Sequence, residues 1–236
     1  MRELSRRVGS EITFATTKDI PTFEKCLATG AYELAYMNPY HYTDFHETSG
    51  YRAFAQQAGK RLQGVIVVRA ESALKSLDDL AGAKLAVPSP AAFGASVLPR
   101  AELRGRGIPF EPNYVKSHDS VYSAVAVSLF PAGGGVKRTF ASIDGKLRSQ
   151  LRVIYDTKAY TAYAFAAAPK VGAELAARIG AAMAEIVKEQ PALTKPIGIA
   201  AFEAAADADW NDVRALGLTA AETGLAATGD VKCHSD

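Results

Sequence analysis

The stretch VPSPAAFGASVLPRAEL, residues 87–103, decides the fold that the sequence predicts. Its first residues end the apolar run KLAVP, which is typical of a buried strand, and its last residues have helical periodicity. A strand that passes directly into a helix is the repeating unit of α/β folds. Between the two elements lie four small residues, namely Ala91, Ala92, Gly94 and Ala95. Either the helix packs tightly at its start, or a ligand comes close to its backbone.

The start of this helix therefore has two interpretations. Ser89 stands where an N-cap belongs, and Pro90 suits the first helical position because its φ is fixed and it has no N–H. The N–H groups of Ala91, Ala92 and Phe93 would then be unpaired at the positive end of the helix dipole, which favours an anion. In the alternative, Ser89 caps its own helix and the alanines only pack against a neighbour. This stretch alone favours the packing interpretation.

Residues 117–140, SHDSVYSAVAVSLFPAGGGVKRTF, repeat the same construction. The strand NYVKS ends there and an apolar helix follows, with Ser117 or Asp119 as its cap and with His118 and Ser120 at its start. Two helix starts that follow neighbouring strands meet at the carboxyl edge of a sheet, where open α/β folds bind ligands. The alternative is that His118 is a hydrogen-bonded structural histidine and Asp119 a plain cap.

The rest of the chain alternates between strands and helices, which predicts mostly parallel sheets. Apolar runs predict strands at 11–16, 33–37, 64–69, 84–88, 152–156 and 162–168. Helical periodicity predicts helices at 2–8, 21–29, 77–81, 91–104, 120–129 and 171–188.

Composition and motifs exclude several classes of protein. The 236 residues are 48% hydrophobic with a net charge of +2, and scattered Lys and Arg residues give no support for a nucleic-acid partner. No apolar run approaches the ~20 residues that span a bilayer. The four histidines lack metal-ligand spacing, and Walker, dinucleotide and Gly-x-Ser-x-Gly motifs are absent, so no metal, cofactor or catalytic residue is predicted. These absences favour a binding protein over an enzyme. Cys26 and Cys233 are either a disulfide or two unrelated thiols.

Three segments, taken in their order and spacing, resemble one known family. They are YELAYMNPYHYTDF (32–45), GVIVVRAESALKSLDDLAGAKLAVPSPAAFGASVLPRAEL (64–103) and HDSVYSAVAVSLFPAGGGV (118–136). Together they resemble the phosphate/phosphonate-type periplasmic solute-binding proteins of ABC importers, and the resemblance covers nearly the whole chain.

The resemblance implies the type II periplasmic binding protein fold, an α/β fold of two lobes joined by two crossing strands. It places residues 1–70 plus 162–236 in lobe one and residues 71–161 in lobe two. In that family a strand and a ligand loop precede the helix that opens this chain. We therefore expect that lobe one lacks its first strand, that 11–16 presents an open sheet edge, and that a longer natural chain carries a signal peptide.

The resemblance also indicates a site between the lobes. From lobe one, Asn38 would donate its amide, Tyr42 matches the family tyrosine that reaches the ligand, and Tyr36 and Tyr40 either line the cleft or pack. Tyr160, near the hinge, would close over the ligand. The remaining predicted ligand-binding residues lie at the two helix starts: Ser89, Ala92, Phe93, Gly94, His118, Asp119 and Ser120.

This chain departs from the family at two positions. Where family phosphonate binders carry a Ser-Thr-Ser run, it has Ala92, Phe93 and Gly94, so the hydroxyl donors are missing and the backbone N–H groups remain. Where binders of aminoalkyl phosphonates present an acid, it has Val136 and Lys137. A small oxyanion such as phosphate, phosphite or a phosphonate-like species therefore fits better than an aminophosphonate.

The function predicted from the sequence is that of a periplasmic protein that captures a small anion for the membrane permease of an ABC importer. Lobe closure, with no bond chemistry, would be its mechanism. The alternatives are a ligand-sensing protein that docks on a sensor kinase, with arsenite as one candidate oxyanion, and an enzyme on the same fold.

Overall fold

The computed structural model describes residues 1–225 and Cys233, and two β-sheets organise them. One sheet has four strands in the order β1-β8-β2-β9, and the other has five in the order β5-β4-β6-β3-β7. The strands are β1 (Leu34–Met37), β2 (Arg52–Gln57), β3 (Arg61–Arg69), β4 (Ala83–Val87), β5 (Phe110–Tyr114), β6 (Ala132–Val136), β7 (Leu151–Thr161), β8 (Ala164–Ala167) and β9 (Phe202–Ala204).

The α-helices of the described residues follow most of these strands. They are α1 (Arg2–Val8), α2 (Ile20–Ala28), α3 (Pro39–Ser49), α4 (Leu98–Gly105), α5 (His118–Ala126), α6 (Lys137–Ser142), α7 (Gly145–Ser149), α8 (Ala173–Glu189), α9 (Asn211–Arg214) and α10 (Ala220–Thr223). No helix in residues 1–225 combines the length and the apolar character that a membrane span requires.

The five-stranded sheet carries helices on both faces. Strands β4, β5 and β6 run parallel, and β3 is antiparallel to both β6 and β7. Side chains alternate along β3, so Ile66 packs with Leu103 of α4 on one face while Val67 packs with Val121 of α5 on the other. The helices that follow β4 and β5 therefore lie on opposite faces of this sheet.

The four-stranded sheet is antiparallel at each pairing and supports α8 and α1. The prediction of mostly parallel sheets is therefore wrong for the described residues, where only β4 pairs in parallel, with β5 and with β6. Val8 of α1 is buried against Ile179 and Met183 of α8, so the first helix is amphipathic as the sequence predicts. Residues 58–60 and 162–163 connect the two sheets. The lobe boundaries at 70 and 162 stay predictions. Because β3 lies wholly in the five-stranded sheet, we propose that the first crossing occurs at 58–60 rather than at residue 70.

Most predicted elements agree with the structure to within a few residues at their ends, and the strand at 11–16 is wrong. Residues 11–17 are irregular, and Phe14 is 75% exposed. A strand is stabilised by ladder hydrogen bonds to a neighbour, and among the described residues β1 pairs only with β8. Without a paired neighbour, an apolar run of this length has nothing to hold it in a sheet.

The helix predicted at 91–104 begins later than expected and starts irregularly. A π-turn at Phe93–Val97 precedes α4, its N-cap is Ala92, and no side chain caps it. The expected arrangement, with Ser89 as N-cap and Pro90 in the first turn, is therefore wrong. The Ala92 carbonyl accepts from the N–H groups of both Ser96 and Val97, at 2.7 and 3.2 Å, which widens the turn.

The small residues of this turn have a packing explanation. Gly94 and Ala95 lie directly over β3 and β6, where a Cβ on Gly64 would collide with the Gly94 carbonyl and one on Gly134 would collide with the Ala95 carbonyl. The two backbones approach so closely that neither partner accommodates a larger residue. Packing thus accounts for Gly94, where a Cβ would also meet the Leu62 and Val136 side chains, as one of the two interpretations predicts.

The two cysteines form a disulfide. Cys26 Sγ of α2 bonds Cys233 Sγ at 2.15 Å across 207 residues of sequence. The Tyr32 hydroxyl donates to the Cys233 carbonyl oxygen at 2.7 Å, so Cys233 has one contact with α2 and a second with Tyr32.

Candidate functional site

Two helix starts share one edge of the five-stranded sheet. Strands β4 and β5 are parallel neighbours, and their pairing continues past their ends: the Val115 N–H donates to the Val87 carbonyl at 2.9 Å, and the Lys116 N–H donates to the Pro88 carbonyl at 2.8 Å. The π-turn and α5 then leave on opposite faces of the sheet. This is the carboxyl-edge position that the sequence predicts for a ligand.

The first helix start offers unpaired donors. The N–H groups of Phe93, Gly94 and Ala95 donate no hydrogen bond within the described part of the chain. All three residues are buried, and so is Ala92, whose side chain presents only a methyl group. Buried backbone donors are almost always paired, and free donors at a helix start favour a negative charge.

The second helix start adds further donors. Ser117 caps α5, with Oγ accepting from the Ser120 N–H at 3.1 Å, so the first of the two predicted caps is the observed one. The N–H groups of His118 and Asp119 donate to no residue that the structure describes. The side chains of Asp119 and Ser120 are exposed, and Ser120 Oγ lies 2.8 Å from Ser117 Oγ.

Two side-chain atoms beside these donors are buried without a partner. Ser89 Oγ, on the segment after β4, and His118 Nδ1, on the first residue of α5, hydrogen-bond to no described residue. Burial lowers the pKa of His118, and the nearby Asp119 charge opposes this effect. A buried polar atom without a partner is costly, so both atoms are suited to a ligand that would pair with them.

The glycines of β6 bring the two helices close together. A Cβ at Gly133 would contact Val121 of α5, one at Gly134 would meet the π-turn, and one at Gly135 would meet the Tyr122 ring. These glycines therefore admit both helices against the same strand. Tyr122 lies one helical turn after His118, and burial raises the pKa of its hydroxyl.

Lobe one contributes an aromatic wall. Tyr36, which is 39% exposed, stacks on Phe165 and Tyr163 with ring centroids 4.3 and 5.0 Å apart. Its hydroxyl accepts from Gln57 Nε2 at 3.1 Å. Burial raises the pKa of Tyr163 to about 12. Of the four predicted lobe-one residues, Tyr36 is the most exposed, Asn38 is half-buried, and Tyr40 and Tyr42 are buried.

Asn38 connects the lobes. Its Oδ1 accepts from the His41 N–H at 2.8 Å and caps α3, while Nδ2 donates to the Ala91 carbonyl at 3.2 Å. The amide that the sequence assigns to the ligand is therefore bonded, in this structure, to the segment that precedes the π-turn.

Four predicted residues have side chains in the core. Tyr42 is fully buried, and its hydroxyl donates to Asp207 Oδ1 at 2.8 Å and accepts from the Ala53 N–H at 3.3 Å. Tyr40 is buried as well, with its hydroxyl 2.9 Å from Thr223 Oγ1. The Phe93 ring packs against Tyr160 in an edge-to-face contact at 5.5 Å, and both rings are buried. We propose no ligand contact for these four rings.

One residue at the cleft was missed by sequence reasoning. Arg138, at the start of α6, donates from Nη1 to Gln57 Oε1 at 3.3 Å and from Nη2 to the Ile197 carbonyl at 2.9 Å. Its position, two residues after the glycine-rich strand β6, could have indicated a ligand contact. The comparison with the family at this point concerned Val136 and Lys137 instead. The Lys137 ammonium forms an ion pair with Asp156 Oδ1 on β7 at 2.9 Å.

Two other features bear on the site. A groove of about 730 Å³, lined mainly by alanines, lies between α8 and the four-stranded sheet, away from both helix starts. Within residues 1–225 and Cys233, no cluster of three or more His, Cys, Asp or Glu side chains has the arrangement of a metal site.

Solved structures share this two-lobed architecture. PhnD1 from Prochlorococcus marinus (MIT 9301), in complex with methylphosphonate, matches with a TM-score of 0.80 and 17% identity, over 92% of this chain and 88% of that chain. A binding protein component of a phosphonate ABC transporter from Pseudomonas aeruginosa matches with a TM-score of 0.79 and 13% identity, over 92% of this chain and 78% of that chain. A Xanthomonas citri protein bound to chloride matches with a TM-score of 0.72 and 16% identity, over 95% of this chain and 87% of that chain. The predicted α/β fold of two lobes is confirmed.

A search of curated proteins finds no match. The family model described as "ABC transporter, phosphonate, periplasmic substrate-binding protein" matches residues 1–210, which is most of the chain. The resemblance stated from the sequence motifs is thereby confirmed. This chain belongs to the family of periplasmic phosphonate substrate-binding proteins of ABC transporters.

Proposed function

We propose that this protein captures a small phosphonate between its two lobes and presents it to the membrane permease of an ABC importer. The observation that carries the proposal is the set of unpaired backbone donors at two helix starts on one sheet edge. Phe93, Gly94 and Ala95 supply three N–H groups, and His118 and Asp119 supply two more. An oxyanion that accepts from these groups would satisfy donors that the described residues leave unpaired.

The two unpartnered side-chain atoms support the same site. Ser89 Oγ can donate its hydroxyl hydrogen to a phosphonate oxygen, and His118 can donate from a ring nitrogen in either protonation state. Hydrogen bonds to a charged group contribute about twice as much as neutral ones. This set replaces the hydroxyl-rich run that the sequence lacks at Ala92 and Gly94.

A phosphonate is favoured over phosphate or phosphite by family membership and by the chemistry of the π-turn. Phosphate presents four oxygens, each of which needs donors when it is buried. The Ala92 methyl group and the Tyr36 ring instead offer apolar surface to a carbon substituent. PhnD1, a structural relative, binds methylphosphonate, which makes that compound the first ligand to test.

Lobe closure would then be the mechanism of capture. The contacts of Asn38 with Ala91 and of Arg138 with Gln57 and Ile197 already join the lobes. A ligand held by both lobes adds contacts that exist only in the closed form, and so shifts the population toward it. The disulfide between Cys26 and Cys233 accords with the oxidising periplasm in which this family works.

Isothermal titration calorimetry with methylphosphonate, phosphate, phosphite and sulfate tests the proposal. We expect methylphosphonate to bind at least tenfold more tightly than the other three anions. A thermal-shift assay should agree, because a hundredfold excess of ligand over Kd stabilises the native state by about 2.7 kcal/mol. Failure of methylphosphonate to bind, or equal binding of sulfate, would overturn the proposal.

A further inference from the structure

Arg138 is a cation at the cleft that faces only neutral partners. Its guanidinium donates to the Gln57 side-chain oxygen at 3.3 Å and to the Ile197 backbone carbonyl at 2.9 Å. No carboxylate among residues 1–225 lies within ion-pair distance of its guanidinium. It also stands in the first turn of α6, where the helix dipole disfavours a positive charge. Both conditions leave the guanidinium suited to an added anion.

The neighbours of Arg138 place it beside the aromatic wall. Gln57 bridges Arg138 to the Tyr36 hydroxyl, since its Nε2 donates to that hydroxyl at 3.1 Å. Burial raises the pKa of the Tyr36 and Tyr163 hydroxyls, and the positive charge of Arg138 opposes the rise at both. The guanidinium therefore lies close to the two phenol rings that stack at 5.0 Å.

The strand β6, which precedes Arg138, also contacts the helix α5. Arg138 follows Gly135 by three residues, and a Cβ on Gly135 would contact the Tyr122 ring of α5. Tyr122 is one helical turn, about 5.4 Å along the axis, from His118. Because β4 and β6 are parallel neighbours, Arg138, which follows β6, lies at the same carboxyl edge of the sheet as the helix starts, and the Tyr36 and Tyr163 rings lie close to its guanidinium.

We propose that Arg138 binds a second anionic group on the ligand, so that the site prefers phosphonates whose carbon substituent ends in a carboxylate or another oxyanion. This inference rests on the proposed function, because the phosphonate group anchors the ligand at the helix starts. The guanidinium presents several N–H donors in a planar fork that matches a carboxylate. The same charge repels the ammonium group of an aminoalkyl phosphonate.

Calorimetry with four ligands tests this inference: methylphosphonate, phosphonoacetate, 3-phosphonopropionate and 2-aminoethylphosphonate. In the wild-type protein we expect one or both carboxylated phosphonates to bind about tenfold more tightly than methylphosphonate, and 2-aminoethylphosphonate to bind more weakly than methylphosphonate. Arg138→Gln should remove the carboxylate preference, measured within that variant as the ratio of the methylphosphonate Kd to the Kd of each carboxylated phosphonate, because the loss of the lobe contacts to Gln57 and Ile197 affects all ligands alike and cancels in the ratio. Arg138→Lys keeps the charge without the fork and should retain part of the preference.

Lys137→Gln is the matched control, because it removes the same charge from the neighbouring residue, whose ammonium pairs with Asp156 at 2.9 Å. It should leave all four affinities within about twofold. Equal affinity of the wild-type protein for methylphosphonate and both carboxylated ligands would overturn the inference and leave the proposed function standing. An unchanged preference in Arg138→Gln, or an equal loss in Lys137→Gln, would also overturn it. If no phosphonate binds, the proposed function fails and the inference fails with it.

Discussion

Asn38 Nδ2 donates a hydrogen bond of 3.2 Å to the Ala91 carbonyl oxygen, and so joins the first residues of α3 in lobe one to the segment that leads into the π-turn of lobe two. The same side chain caps α3, because its Oδ1 accepts from the His41 N–H at 2.8 Å. One residue therefore has a local role in a helix and a second role in lobe closure. Substitution can separate the two.

Asn38→Asp should keep the cap and lose the bond between the lobes. A carboxylate still accepts from His41, but it has no hydrogen to donate to Ala91 and faces a carbonyl oxygen. We expect the melting temperature to stay near the wild-type value, the radius of gyration of the free protein to increase in small-angle X-ray scattering, and methylphosphonate affinity to fall several-fold. Asn38→Ala should lose about 1 kcal/mol of stability as well, since it removes the cap. Unchanged scattering and affinity in Asn38→Asp would show that the bond has no role in closure.

Ala92→Asp should abolish oxyanion binding. Ala92 is the N-cap of the π-turn, and a carboxylate there would accept from the free N–H groups and repel the ligand. Binding of methylphosphonate by calorimetry should weaken more than tenfold. Ala92→Asn is the matched control, with nearly the same volume and no charge. A comparable loss in both variants would assign the effect to packing at this buried position rather than to charge.

His118 should make ligand affinity depend on pH. Burial holds its pKa below the ordinary value of 6.5 in the free protein. A bound oxyanion stabilises the imidazolium and raises that pKa, so the complex binds more protons than the free protein. Affinity therefore increases as the pH falls from about 8 to about 6, and it levels off once the free histidine is also protonated.

The measurement is the ratio of methylphosphonate Kd between His118→Gln and the wild-type protein at each pH, because the ligand's own titration cancels in the ratio. We expect this ratio to grow several-fold from pH 8 to pH 6. A constant ratio would limit His118 to a neutral hydrogen bond.

Gly134→Ala should destabilise the second lobe. Its Cβ would collide with the Ala95 carbonyl oxygen, so the π-turn would have to move away from β6. We expect a loss of about 1–3 kcal/mol in chemical denaturation, as for other overpacked cores. Gly145→Ala is the control, because its Cβ would enter open space at the start of α7 and alanine is the better helix former. Equal stability of both variants would contradict the close approach.

The disulfide should contribute to stability more than to binding. Reduction, or the double substitution Cys26→Ser and Cys233→Ser, removes a cross-link between residues 207 apart in sequence. We expect a loss of about 2–4 kcal/mol in the free energy of unfolding. Methylphosphonate affinity should change less than twofold, since neither cysteine is among the residues that supply donors at the two helix starts. A large loss of affinity with little loss of stability would contradict this assignment.

The sequence by itself determined the features that depend on neighbouring residues. Apolar runs predicted β1, β3, β4, β8 and nearly half of β7, and the Ser-His-Asp-Ser step narrowed the cap of α5 to Ser117 or Asp119, because strand period and capping act within a few residues. The order of three motifs was enough to predict the family, which the family model confirms. For the same local reason the sequence predicted that a helix starts after each of β4 and β5, but the first of them starts at Phe93, after the predicted Ser89 cap.

Only the tertiary structure decided which side chains face the cleft. Tyr42 and Tyr36 lie six residues apart in one motif, yet Tyr42 is buried with its hydroxyl on Asp207 and Tyr36 is 39% exposed. Arg138 reaches Gln57 across 81 residues, and Cys26 bonds Cys233 across 207. Residues 11–17 stay irregular because a strand needs a paired neighbour, however strong its own pattern. Contacts between residues far apart in sequence arise from packing, and no local pattern records them.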